Sequence, residues 1–219
     1  MSNLDSQIKE IQQLVHGNLL NKAEKTLIEM MKKNPNRYEL HNILGVIYVQ
    51  KEKFEEAVKE FEKSIELNEK FSNAYNNLGG ALYKLSKFRR SVNICKKAIE
   101  IDPNSAQAYN NLAANLIFLE NFDEALKCFK KSIQINPNQV DANINIGNLL
   151  KNRGRAEESF EYFLKAIDIN PKIAKNYNDY GMALKKISKF DGALNQLNKA
   201  LKINPNFFYA YINIGNILK

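Results

Sequence analysis

Small residues return at a fixed interval along this chain. Ala57, Ser91, Ala125, Ser159 and Ala193 stand 34 residues apart, and so do Pro103, Pro137, Pro171 and Pro205. Gly45, Gly79, Gly147, Gly181 and Gly215 keep the same register, with Ala113 in the one gap. An unbroken period of this length specifies stacked copies of one supersecondary unit, not a single globular core. Numbering each copy from slot 1 to slot 34 places repeats at 4–37, 38–71, 72–105, 106–139, 140–173 and 174–207, with part of a seventh at 208–219. The chain 1–219 therefore reads as one continuous all-α solenoid.

Within a repeat, slots 4, 7, 8 and 11 are Tyr75, Leu78, Gly79 and Leu82, or Tyr109, Leu112, Ala113 and Leu116. Spacings of three and four put them on one helical face. Slots 20, 24 and 27 follow on a second helix, as Ala125, Phe129 and Ser132 or Ala193, Leu197 and Ala200. Gly or Ala at slot 8 is expected to meet Ala or Ser at slot 20, so that the two helices approach closely. Proline at slot 32 stops the second helix. Helix A is expected over slots 2–14 and helix B over slots 18–31.

The pattern Tyr-x-x-Leu-Gly-x-x-Leu, then Ala-x-x-x-Phe-x-x-Ala, then Pro resembles the tetratricopeptide repeat, over nearly the whole chain. The resemblance implies antiparallel helix pairs wound into a right-handed superhelix whose inner wall binds polypeptides. The departures are local. Repeat 1 has Gln7, Glu10 and Ile11 where an aromatic, a Leu and a Gly are expected, which suits a terminal helix with one wet side. Repeat 2 has His41 in the aromatic slot, read as a core substitute, and Glu69 in place of the proline. Tyr211, Ile214, Gly215 and Leu218 complete a last helix A with no helix B after it. That ending points to a piece of a longer protein, or to a terminal helix that packs on a partner copy.

The remaining chemistry is mostly exclusion. No phosphate loop, dinucleotide fingerprint, His-Glu-x-x-His or Cys-x-x-Cys occurs, and His16 and His41 lie in different repeats. No metal, cofactor or catalytic residue is implied, so the segment is expected to be non-catalytic. Cys95 and Cys128 form no disulfide framework and are expected to pack as small hydrophobes. With no secretory signal, no bilayer-length apolar run and no Asn-x-Ser/Thr acceptor, a cytoplasmic location is expected.

The functional expectation centres on slot 6, occupied by Asn77, Asn111, Asn145 and Asn213, with Asp179 in the series. Slot 6 lies about 200° around the helix from slot 4, away from the packed face. A side-chain amide offers donors and an acceptor together, and so can grip the C=O and N–H of an extended peptide. Helices packed about 8–10 Å apart would place one amide every third residue of a strand that advances about 3.3 Å per residue. The array is similar to the asparagine ladder in the tetratricopeptide superhelix of O-linked N-acetylglucosamine transferases, through Asn-Leu-Gly at 77–79, Asn-Leu-Ala at 111–113 and Asn-Ile-Gly at 145–147 and 213–215. It breaks at Asp179, Ile43 and Lys9. Asparagine is also frequent at slot 5 (Asn42, Asn76, Asn110, Asn178), so a merely solvated polar wall competes with the ladder. The carboxylate clamp for chaperone tails, another use of the family, is rejected. Its best frame gives Asn110, Ala114, Asn145, Lys175 and Asp179, and the last has the wrong sign.

The formal net charge is +8. Lys53, Lys87, Arg155 and Lys189 occupy slot 16, with Lys51, Lys84, Arg89, Arg90, Lys151, Arg153, Lys185 and Lys186 near it. They should line one rim, read as a solvated edge. Aromatics do not interleave with it as single-strand binding requires, so nucleic acid is not the expected partner. Phe71, Phe118 and Phe207 are left to face the groove or to fill repeat junctions. The reading is a scaffold for protein or extended peptide. Slots 2, 6, 9 and 13 of successive A helices form its inner wall, and Asn77, Asn111, Asn145, Asp179 and Asn213 bind alongside Lys84, Asn148, Asn152 and Lys186. Two alternatives stand beside it: the substrate-recognition region of a larger glycosyltransferase or sulfotransferase, and a scaffold that self-associates through its C-terminal helix.

Overall fold

The computed structural model describes residues 3–219. Met1 and Ser2, part of the segment read for a leader, lie outside the described residues. All regular structure among the described residues is α-helical. It divides into two compact units, one running to Glu120 and the other from Asn121 to Lys219. The first unit holds α1 (Asn3–His16), α2 (Leu20–Lys33), α3 (Tyr38–Gln50), α4 (Phe54–Leu67), α5 (Ser72–Lys84), α6 (Phe88–Ile101) and α7 (Ala106–Phe118). The second holds α8 (Phe122–Ile135), α9 (Val140–Asn152), α10 (Ala156–Ile169), α11 (Ala174–Lys186), α12 (Phe190–Ile203) and α13 (Phe208–Leu218). Odd-numbered helices are A helices and even-numbered ones B helices. From α2 to α12 they span slots 1–13 and 17–30, each starting and ending one residue earlier than the sequence pattern suggests.

The early end of helix A has a specific cause. Slot 15 adopts a left-handed conformation in every repeat: Asn18, Glu52, Ser86, Glu120, Gly154 and Ser188 all have φ between 57° and 78°. The N–H of slot 15 then bonds the slot-12 carbonyl and the N–H of slot 16 bonds the slot-11 carbonyl. Glu52 to Val49 at 3.0 Å and Lys53 to Tyr48 at 2.8 Å show the pair. The last carbonyls of the helix are satisfied and the chain turns into helix B. Only Gly154 is the residue that this turn ordinarily prefers. At the other end, the residue before the slot-32 proline is Asp or Asn, and its side chain accepts from the N–H two residues on. Asp102 with Asn104, Asn136 with Asn138 and Asn170 with Lys172 do so at 3.0–3.1 Å.

Slot 8 meets slot 20, as expected, and slot 24 as well: a methyl added at Gly181 would come 3.2 Å from both the Ala193 carbonyl oxygen and the Leu197 side chain. A methyl added at Gly45 would come 2.5 Å from the Phe61 ring, at Gly79 2.6 Å from Cys95 Sγ, and at Gly147 2.7 Å from the Phe163 ring. Slot 20 also makes a polar contact across the pair: Ser91 Oγ donates to the Gly79 carbonyl at 2.7 Å. The core is a series of local clusters, as a stacked architecture requires. In the first unit, Ile11, Leu27 and Leu40 share one cluster, and Ala57, Phe61 and Leu82 another. In the second, Ile144, Phe163 and Ala183 form one, and Ala174, Leu197 and Ala210 another. Gln7 and Glu10 are exposed on α1 while Ile11 is fully buried, so the terminal helix has one dry face and one wet one. At the other end a methyl added at Gly215 would meet no facing atom within 4 Å.

Candidate functional site

In the first unit α3, α5 and α7 lie side by side, and residues 35 apart meet across them. Asn77 Nδ2 donates to Asn42 Oδ1 at 2.9 Å. Asn111 Nδ2 donates to Asn76 Oδ1 at 2.8 Å and to the Asn76 carbonyl at 3.3 Å. In the second unit, Asn213 Nδ2 donates to Asn178 Oδ1 at 2.8 Å. In these three pairs the slot-6 amide of one repeat is bonded to the slot-5 amide of the repeat before it, so that slots 5 and 6 form one relay.

The relay accounts for two of the breaks in the series. Asp179 follows a repeat whose slot 5 is Ile144, and Ile43 follows Ile8. An alkyl side chain accepts no hydrogen bond, so no amide is placed opposite it. Asp179 is paired otherwise, with Asn148 Nδ2 at 3.4 Å, Asn178 Nδ2 at 3.3 Å and Lys175 Nζ at 3.6 Å. Because an amide has two N–H donors and two lone pairs, the relay leaves Asn77 a second N–H and its oxygen. The Asn111 oxygen accepts from Gln107 Nε2 at 3.1 Å.

A cavity of about 350 Å³ opens on this face of the first unit. Asn77 and Asn111 from slot 6 and Lys84 from slot 13 line it, so three of the nine expected site residues converge. Gln107 (slot 2), Gly80 (slot 9) and Gln50 (slot 13) share the wall, and Val46, Val49, Phe61 and Ala81 give it an apolar floor. Below it Asn115 is fully buried. Its Nδ2 donates to the Asn111 carbonyl at 2.7 Å while its oxygen has no partner.

In the second unit the equivalent face is charged. Asn148 holds Asp179 and accepts from Lys151 Nζ at 2.7 Å. Lys151 is only part-exposed, over the Phe163 ring at 5.9 Å from its centroid, rather than out on a rim. Burial pushes its ammonium below the ordinary range, helped by Lys175 and Lys186 and opposed by Asp179. Asn145 is half-buried on α9, Asn152 is exposed at the end of α9, and Lys186 is exposed on α11.

Several other expectations change. The basic rim is partly neutralised: Lys51 pairs with Glu24 at 2.6 Å, Arg155 with Glu158 at 2.6 Å, and Arg90 with Glu62. His41 is no core aromatic. It is half-buried, with Nδ1 on Glu60 at 2.7 Å and Nε2 on the Pro35 carbonyl at 3.1 Å, because its ring nitrogens need polar partners. Phe71 fills a junction against Tyr38, and Phe207 packs with Leu197 and Ala210. Phe118, half-exposed, stacks on Phe88 at 4.4 Å. Cys95 is fully buried, and burial pushes its thiol up to about 11. Cys128 is buried as well.

Sequence reasoning missed Gly80, Gln107 and the acceptor role of Asn42, Asn76 and Asn178. The readable signal was the 35-residue spacing of asparagine pairs, hidden beside the 34-residue period.

Family models match most of the chain. A model described as TPR repeat covers residues 33–86 and 181–219. Two described as tetratricopeptide repeat cover 106–139, and 72–105 with 140–173. No curated protein matches the sequence. Among solved structures, pilF of Pseudomonas aeruginosa superposes with a TM-score of 0.81 at 17% identity, over 97% of this chain and 96% of its own. The APC/C hetero-tetramer Cut9–Hcn1 gives 0.84 at 18% identity, over 98% of this chain and 43% of that one. YrrB, described as a TPR protein with an unusual peptide-binding site, gives 0.62 at 20% identity, over 85% of this chain and 96% of its own. At these identities the likeness is one of fold. No helix among the described residues is long and apolar enough to cross a membrane.

Proposed function

We propose, from the premise that this chain belongs to the tetratricopeptide repeat family, that it is a non-catalytic scaffold holding an extended polypeptide against the A-helix face of its first unit. The family as a whole supports a protein-interaction role. The observation that carries the finer reading is the convergence of Asn77, Asn111 and Lys84 on one open cavity with an apolar floor. Asn77 keeps a free N–H and a free carbonyl beside it, which is the complement of a peptide unit. What YrrB binds and what Cut9 assembles with are properties of those proteins; peptide binding comes to this chain as part of the proposal. A cytoplasmic setting fits the two buried thiols.

The test separates binding from stability. Asn77→Ala and Asn42→Ala each remove the same inter-repeat hydrogen bond, worth about 1 kcal/mol, but only the first removes an amide from the cavity. With peptides selected from a random display library, Asn77→Ala should weaken binding several-fold more than Asn42→Ala at equal loss of melting temperature. Equal affinities for the two variants would end the reading.

A second reading is self-association through α13, where Phe208, Tyr209, Tyr211 and Leu218 are each more than half exposed. Sedimentation velocity over a concentration series tests it. A sedimentation coefficient that rises with concentration in the wild type and stays flat in Leu218→Lys supports it, and a flat wild-type series removes it.

A further inference from the structure

Glycine is the least favourable residue after proline inside a helix, so each helical glycine calls for a physical reason. At slot 8 the reason is close packing: a methyl on Gly45, Gly79 or Gly147 would strike the facing side chain. Gly80, in the middle of α5, has no such reason. A methyl built there meets only Asn111 Nδ2, at an ordinary 3.9 Å. Other A helices carry Val46, Ala114, Asn148 and Met182 at the same slot, so a side chain is compatible with the stacking. What Gly80 supplies is space, because it borders the cavity between α3, α5 and α7.

The shape and chemistry of that space are specific. At about 350 Å³ it sits at the small end of ligand pockets, suited to one large side chain and not to a cofactor. Val46, Val49, Phe61 and Ala81 offer no hydrogen-bonding side-chain group, so the inserted group must be apolar. The rim carries amides for a main chain and one charged group, the exposed Lys84, which has neither an ion pair nor a hydrogen-bond partner among the described residues.

We propose that Gly80 opens a socket for a single large apolar side chain, Leu, Met or Phe, of a partner's extended segment, and that Lys84 selects an acidic residue beside that anchor. The inference rests on the peptide-binding reading above and adds a sequence preference to a contact that the amides alone would leave indifferent to side chains. Gly80→Leu fills the socket from within. It should not lower the melting temperature, since leucine is a far better helix former than glycine.

Random peptides displayed on phage are selected against the wild-type chain, and the enriched sequences are titrated as labelled synthetic peptides. The expected result is a shared apolar anchor with an acidic neighbour. Affinity should fall by about tenfold or more in Gly80→Leu, or when the anchor is changed to Ala, the loss expected when a large apolar group is no longer buried. Lys84→Glu should reverse the preference at the neighbouring position. Unchanged affinity in Gly80→Leu overturns the socket. If Asn77→Ala still weakens binding in that case, the face stands and only the socket falls. If both variants bind as the wild type does, or if no sequence is enriched on it, both readings fall.

Discussion

Adjacent glycines on α5 should respond differently to the same substitution. Gly80→Ala adds a methyl in open space, and the exchange of glycine for alanine in a helix interior stabilises by about 1 kcal/mol. Gly79→Ala makes the same gain, but its methyl would lie 2.6 Å from Cys95 Sγ, more than 1 Å inside ordinary contact. Overpacking of that kind costs about 1–3 kcal/mol, so the variant should be neutral to about 2 kcal/mol less stable than wild type. The two neighbours should therefore differ by about 1–3 kcal/mol, or by several degrees in melting temperature at about 2–4 °C per kcal/mol for a chain of this size. Cys95→Ala removes the obstructing sulfur, so the double variant Gly79→Ala/Cys95→Ala should recover much of the loss, as a favourable coupling in a double-mutant cycle. Urea unfolding followed by helical circular dichroism gives the midpoints, with slopes compared because stacked repeats need not unfold in one step. Equal stabilisation at 79 and 80, or additive effects of Gly79→Ala and Cys95→Ala, would refute the close-packing argument.

Further outcomes follow from single observations. In the left-handed turns, Gly154→Ala should cost about 1–2 kcal/mol, while Glu52→Gly should gain less than about 1 kcal/mol because glycine's freedom in the unfolded chain offsets part of the relief; thermal melts measure both. Asn115→Leu removes a buried carbonyl that has no partner among the described residues and, with it, the Nδ2 bond to the Asn111 carbonyl, and should stabilise by about 1 kcal/mol or less in urea titrations. Lys151→Met should raise the melting temperature at pH 7. The folded-state pKa of Lys151 lies below the ordinary 10.5, so its charge costs stability at neutral pH, and that cost lifts as pH rises through the folded value; the gain should accordingly shrink toward pH 10.5. Cys95, with its thiol at about 11, should resist iodoacetamide at pH 8 in the native protein and react once it is unfolded, as read by mass spectrometry.

The helix pairs were legible because their determinants are periodic. The slots of Gly45, Ala57 and Phe61 return every 34 residues with small or apolar occupants or serine, and a packing position cannot drift without breaking every neighbour. The left-handed turn was hidden because five of its six residues are Asn, Glu or Ser and not the glycine that normally marks it. The face of slots 2, 6, 9 and 13 followed from helical angle alone. What each asparagine does there was not readable, because an amide looks the same in sequence whether it meets a partner protein or Asn42 one repeat away. His41 was misjudged for a related reason: its slot is apolar on average, while its own partners, Glu60 and Pro35, come from elsewhere in the chain. The Gly80 cavity escaped because a missing side chain announces itself only against the structure around it.

The central claim is that the α3–α5–α7 face receives a polypeptide. Methyl-resolved NMR of the chain labelled at valine and alanine, titrated with a display-selected peptide, tests it most directly. The account predicts shifts concentrated on Val46, Val49 and Ala81, which line the cavity, with Val58 and Val92 on the B helices unmoved. Shifts confined to the B helices or to Ala210 on α13, with the cavity methyls silent, would contradict it.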